Sequence, residues 1–483
     1  MTFAKLAAIF VAISLAACSA VNKPLNQPLG ADGNPSLIDE SVIPGDGTTF
    51  IGLAFSGGGT RASAFSYGML EALRDATASP GDPDGILSDV RLVTGVSGGS
   101  VTAAWYGYAG PGGMAKFRAY LDKNGEKYMA NSPLNPVTLV RGLSGGANGR
   151  KTFGRFLDEE LFRGATFGDL RRKSHVKTWI NASDVANNVT FLFSPETFDA
   201  LCSDLMKLPL SEAVSASAAF PLVFSPIVLE AHQKGCTYDE PDWLTAARHN
   251  PEASEAMKAH ARALESYTNP EEARFVKLLD GGITDNFGTT GLNVERARAQ
   301  NAYAPLTVEE AVKLERMLFL VANAGVRTDY GWTQKLPGPG GVQLAMSIAT
   351  SSMSAATRTG YDAMRLTLDR WQEALVEFRC DLPASEVRRI RGSTAGWDCR
   401  DVKLFVGQVS FEGLPPEMQK ELDGIPTRLR LKPEQVALTI EAARLSTRQN
   451  PEFNGFLRAK EGFTGPPEGA TPIAPRRISP ISN

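Results

Sequence analysis

Val90-Arg91-Leu92-Val93-Thr94-Gly95-Val96-Ser97-Gly98-Gly99-Ser100 is the stretch around which the rest of the chain can be ordered. Residues 90–94 read as a buried strand running into a glycine turn, and Ser100 to Tyr108 reads as the helix that follows. Between them Gly95 to Gly99 spells Gly-x-Ser-x-Gly. Glycines on both sides of a serine let the backbone turn sharply enough to expose the hydroxyl, and the helix N-terminus beside it favours developing negative charge. The chain holds 46 glycines, so the pentapeptide alone is also compatible with a plain Gly-Ser turn. Its surroundings have to decide.

Upstream, Thr49 to Phe55 reads as a second buried strand and Thr60 to Arg74 as an amphipathic helix, joined by Ser56-Gly57-Gly58-Gly59-Thr60-Arg61. Strand, helix, strand implies a parallel sheet. Gly57, Gly59 and Ala62 also fit a dinucleotide-binding fingerprint, but that reading needs an acidic residue at the end of the next strand, where this chain has Thr94-Gly95-Val96-Ser97. The alternative is that the amides of Gly57, Gly58 and Gly59 form an oxyanion hole. Arg61 then either braces the loop or meets a phosphate. Downstream, Asp280-Gly281-Gly282 follows the apolar strand Phe275 to Leu279, a position from which a carboxylate can take the proton of Ser97.

Gly-Gly-Gly-x-Arg, then Gly-x-Ser-x-Gly, then Asp-Gly-Gly, in this order on strand ends, resembles the patatin-like phospholipase family. Asn181-Ala182-Ser183-Asp184 with Thr190 to Ser194, and Ala216-Ser217-Ala218-Ala219-Phe220-Pro221, are similar to further stretches of that family. The resemblance runs from about Thr48 to Ala324. It implies a three-layer α/β/α fold with a mostly parallel central sheet, a Ser97–Asp280 dyad, an acyl-enzyme intermediate, and a lipid or phospholipid ester as substrate. No metal or other cofactor is implied. Ala62 departs from the glycine more usual after the arginine, and the insertion from Asp239 to Glu272 is large. A catalytically silent scaffold with the same fold is the non-enzymatic alternative.

An α/β-hydrolase triad shares the serine elbow but runs Ser, acid, His. The histidines are His175, His232, His249 and His260, and none follows Asp280. All but His232 are expected at the surface. Their scarcity favours the dyad.

The body is bounded by export and anchoring signals. Lys5, the apolar run Leu6 to Leu15, and Leu15-Ala16-Ala17-Cys18 read as a lipoprotein signal of residues 1–17, with Cys18 as the lipidated residue. The apolar run is too short to span a bilayer. Ser19 after the cysteine, by resemblance to bacterial lipoproteins, points to the outer membrane. Residues 18–47 read as a tether, 48–455 as the catalytic body with insertions near 109–150 and 239–272, and 456–483 as a disordered tail. Pro111 to Met114 and Trp332 to Val342 are candidate lids. In an oxidising compartment Cys202, Cys236, Cys380 and Cys399 allow three pairings, of which Cys202 with Cys236 and Cys380 with Cys399 is the simplest, beside free thiols. With 43% hydrophobic and 21% charged residues and a net charge of -3, the chain of 483 residues is globular and offers no basic field for nucleic acid.

Overall fold

The computed structural model describes residues 22–31, 33–38, 45–129, 146, 148–299, 301–327, 331–334, 336–338 and 340–460. Eight strands form one sheet: β1 Thr49–Phe55, β2 Val90–Val96, β3 Lys177–Asp184, β4 Val189–Leu192, β5 Ile227–Glu230, β6 Phe275–Asp280, β7 Arg316–Asn323 and β8 Lys403–Ser410. β1 is buried at every position. Such a continuous apolar run belongs to a strand covered on both faces. The spatial order is β8-β7-β1-β2-β3-β6-β5, with β4 also pairing β3. From β8 to β3 all pairings are parallel, whereas β4, β5 and β6 run antiparallel to their neighbours. The expected mostly parallel α/β/α sheet is therefore present, and the strand that carries Asp280 is one of its antiparallel members.

The principal helices are α1 Gly59–Thr77, α2 Gly98–Ala109, α3 Leu210–Ser217, α4 Asp242–His249, α5 Glu255–Thr268, α6 Gly341–Asp381, α7 Pro433–Gln449 and α8 Pro451–Ala459. α1 lies against α2 and α7 over one face of the sheet. A side chain on Gly68 would collide with the Ile440 carbonyl, so glycine permits the close crossing of α1 and α7. On the other face α6 places Trp371, 1% exposed, edge-on to the rings of Phe50 and Phe319. Edge-on ring packing of this kind adds to simple area burial.

Four expectations change. The tether is fastened: Asn22 Nδ2 donates to the Ser225 and Pro226 carbonyls, Asn26 Nδ2 to Ser203 Oγ, and Leu37 is buried. Gln27–Pro28 also pairs with Ser203–Asp204. The tail does not begin at 456, because Phe456 and Leu457 are buried in α8, whose first turn is capped by Asn450. Pro111 to Met114 is not a lid: it enters a helix, Met114–Leu121, with Met114 buried and Trp105 Nε1 donating to the Gly113 carbonyl. His260 is not at the surface; it is buried on α5 beside Trp243, and burial pushes its pKa down to about 4.

The 239–272 insertion is an ordered pair of helices, α4 and α5. Disulfides join Cys202 to Cys236 and Cys380 to Cys399, the sequence-local pairing. Among the described residues no helix is long and apolar enough to cross a membrane. Cys18 and the signal lie outside the described residues, as do residues 130–145 of the first insertion and the tail from 461.

Candidate active site

Ser97 sits between the last residue of β2 and the first of α2, with φ 51° and ψ -122°. A non-glycine residue holds such a backbone only where its surroundings dictate it. Here they do. Side chains on Gly98 or Gly99 would run into the Gly59 and Phe55 carbonyls, so the start of α2 packs directly on the end of β1 and its glycine loop. The Ser97 amide donates to Ser217 Oγ at 2.8 Å, Ser217 Oγ donates to the Asn181 carbonyl at 2.6 Å, and Ser100 Oγ donates to the Ser97 carbonyl at 2.6 Å. The two sequence stretches around Asn181 and Ser217 thus converge behind the elbow. Asn181 Nδ2 also donates to Thr94 Oγ1, tying β3 to β2 just below it.

Asp280 ends β6 opposite Ala182 of β3, and its amide donates to the Ala219 carbonyl at 3.0 Å. Its carboxylate is 1% exposed and accepts the Gly282 amide at 2.9 Å, and the neighbouring Ser97 hydroxyl favours its charged form. Burial raises its pKa from the ordinary 3.8 to about 6, because desolvation outweighs those two donors. Ser97 and Asp280, separated by 183 positions in the sequence, are therefore brought side by side at the ends of β2 and β6.

The glycine loop stands beside them but is not uniform. Gly58 and Gly59 have φ 139° and 60°, conformations that glycine alone adopts without strain. Their amides donate to no group among the described residues. The Gly57 amide, expected in the same set, is instead engaged by Asn286 through both its carbonyl, 3.3 Å, and its Oδ1, 3.2 Å. Asn286 Nδ2 in turn donates to Thr357 Oγ1 on α6. This residue was not singled out from the sequence; an Asn six positions past Asp280 was the available signal. Of the three glycines, Gly58 and Gly59 keep amides without a partner among the described residues.

Arg61 is 4% exposed and its guanidinium is turned inward. Nε donates to the Ala324 carbonyl, Nη1 to the Ile425 carbonyl and Nη2 to Thr427 Oγ1. Of its two sequence readings, the geometry agrees with the brace. It ties the segment after α1's entry turn to residues 425–428, whose Arg428 carbonyl accepts the Thr60 amide. Among the described residues no group of three or more His, Cys, Asp and Glu side chains is arranged to hold a metal.

Comparison with curated protein sequences gives no match. Among solved structures, human GIVD cytosolic phospholipase A2 is similar at 14% identity and a TM-score of 0.28, covering 59% of this chain and 46% of that one. VipD from Legionella pneumophila is similar at 13% identity and a TM-score of 0.29, covering 90% of this chain and 72% of that one. The human enzyme in complex with methyl gamma-linolenyl fluorophosphonate gives 13% identity and a TM-score of 0.36 over 86% and 59%. The chain thus spans about half the length of the human protein. Residues 53–292, which hold the glycine loop, Ser97 and Asp280, match the model of the patatin-like phospholipase family: the chain carries a patatin-like phospholipase domain.

Proposed function

We propose that the protein is a serine acyl hydrolase that cleaves fatty acyl esters of lipids through Ser97 and Asp280. The observation that carries this reading is the placement of Ser97, on a strained strand-to-helix elbow, beside the buried Asp280 carboxylate, whose charged form the Ser97 hydroxyl favours. A base with a pKa of about 6 is mostly ionised at neutral pH yet basic enough to share a proton in the transition state. Ser97 Oγ attacks the ester carbonyl carbon while its proton passes to Asp280. The tetrahedral oxyanion is held by the amides of Gly58 and Gly59 and by the N-terminus of α2. Collapse breaks the ester C–O bond, and the leaving alcohol takes the proton from Asp280. Water then attacks the acyl-serine, giving its proton to Asp280, and the fatty acid leaves as Ser97 is reprotonated. Arg61 keeps the loop in place without touching substrate.

The same reading includes anchoring at the bacterial outer membrane through a lipid on Cys18. Its support is the Leu-Ala-Ala-Cys sequence together with the fastening of Asn22, four positions later, to Ser225 and Pro226 at the entrance to β5. β5 starts beside the end of β6, where Asp280 lies. Incubating the protein with a mixed bacterial lipid extract and identifying products by mass spectrometry tests the activity. Free fatty acid and the matching lyso- or deacylated lipid are expected, absent with Ser97→Ala; an unchanged extract refutes the reading.

A further inference from the structure

Five of the ten large hydrophobic side chains exposed among the described residues fall between 326 and 348: Val326, Leu336, Leu344, Met346 and Ile348. This concentration is not a scatter of single surface residues, and concentrations of this kind mark contact surfaces. The first turns of α6 are exposed nearly all round. From Gly341 to Thr357 the helix has no charged residue. A helix end that is apolar, uncharged and uncovered is poorly suited to water and well suited to the boundary between head groups and acyl chains.

Its position ties it to the site. One turn beyond Ile348, Ser352 Oγ donates to the Ile283 carbonyl, the Met353 methyl packs against Gly282, and Thr357 accepts from Asn286. The run begins from Ala324, which is bonded to Ser56 and Arg61 at the glycine loop. The same loop also meets Thr427-Arg428-Leu429-Arg430-Leu431-Lys432, whose Arg428 carbonyl lies against Gly59 and whose Thr427 shares the Arg61 guanidinium with Ala324. Arg428, Arg430 and Lys432 are exposed and make no ion pair among the described residues. The chain as a whole carries -3, so this is a local basic strip rather than a consequence of net charge.

We infer that the overhanging start of α6 and the strip Arg428 to Lys432 form one docking surface for an anionic lipid bilayer, which sets the mouth of the Ser97 site against the membrane. The apolar turns enter the interface and the cations meet lipid phosphates. Each supplies what the other lacks: insertion without charge selectivity, and attraction without depth. The inference deepens the lipid-hydrolase reading and rests on it for the choice of partner.

The test uses the full chain carrying Cys18→Ser, which removes the lipid anchor, and Ser97→Ala, so that binding is read without hydrolysis. Co-sedimentation with phosphatidylcholine vesicles is compared with vesicles in which about a third of the lipid is phosphatidylglycerol. The parent is expected to prefer the anionic vesicles. Leu344→Glu with Ile348→Glu, and separately Arg430→Glu with Lys432→Glu, should each weaken that binding roughly tenfold or more. Salt should weaken binding of the parent and remove most of the difference made by the second pair. With Ser97 restored, both pairs should keep turnover of a soluble short-chain ester within about twofold and lose hydrolysis of vesicle lipid. Equal binding by parent and variants, or no vesicle binding by the parent, overturns the inference. So does a dimer in light scattering that Leu344→Glu with Ile348→Glu dissociates while vesicles are ignored, which would assign the face to a second copy. A chain that binds as expected but hydrolyses no ester sustains the surface and refutes only the hydrolase reading.

Discussion

Asp280→Asn separates what the carboxylate does for the reaction from what it does to the fold. Asparagine keeps the shape and can still accept the Gly282 amide through its side-chain oxygen, so the turn after β6 should persist. The wild-type carboxyl is held near 6 rather than 3.8 by burial. Between those values the unfolded chain releases its proton while the folded chain keeps it, so wild-type stability falls as pH rises from about 4 to about 6 and then levels. A shift of about two units corresponds to roughly 3 kcal/mol at 1.36 kcal/mol per unit, as an upper bound. The neutral variant escapes this penalty. Its melting temperature relative to wild type should therefore rise between pH 4 and 6 and stay raised at pH 8, while turnover falls by roughly 10² to 10⁴. The paired assays are thermal denaturation from pH 4 to 8 and ester hydrolysis over the same range. Wild-type turnover should rise with pH through about 6 as Asp280 ionises. A stability difference that does not depend on pH, or a variant that keeps turnover, would refute the reasoning.

Asn286→Ala should lower turnover by about fivefold, the scale of one lost hydrogen bond of ~1 kcal/mol that positions the loop, and leave the pH midpoint in place. Asn286→Asp keeps an acceptor for Gly57 but adds negative charge near Asp280, so the acid limb of the pH profile should move upward from about 6, and an unmoved limb counts against this geometry. Replacing Cys380 and Cys399 with Ser should cost about 2 to 4 kcal/mol in chemical denaturation and leave turnover of a soluble ester unchanged; full retention of stability would show that the bridge does not constrain the chain. Cys18→Ser should move the protein from the membrane fraction towards the soluble fraction and remove the lipid mass, and unchanged mass would exclude lipidation.

Much of the sheet was legible because β1 and β2 are buried on both faces and spell continuous apolar runs ending in glycines. Ser97 was legible for the same reason, standing where such a run stops, and Asp280 because it ends a strand whose alternate residues are buried and leads into a glycine pair. What the sequence concealed depends on groups far apart. The Gly57 amide is captured by a side chain more than two hundred positions away, which no local pattern encodes. The N-terminal Asn, Gly and Pro residues resemble a linker, yet Asn22 and Asn26 reach backbone carbonyls of the body, turning polar composition into fastening. His260 looked solvent-facing within a polar insertion, but α5 turns that side of its helix inward beside Trp243. β4 was visible only as part of the Thr190 to Ser194 family resemblance, being too short to announce itself.

The site at which a fluorophosphonate attaches tests the Ser97–Asp280 dyad most directly. Purified wild-type protein treated with an alkyl fluorophosphonate should gain one adduct by intact mass, and peptide mapping should place it on Ser97. Ser97→Ala should gain none, Asp280→Asn should label far more slowly, and single replacement of each of His175, His232, His249 and His260 should leave the labelling rate within about the same order of magnitude, because no histidine contributes to the Ser97–Asp280 contact. An adduct on another residue, or labelling of Ser97 that one histidine substitution abolishes while Asp280→Asn leaves it intact, would contradict the dyad.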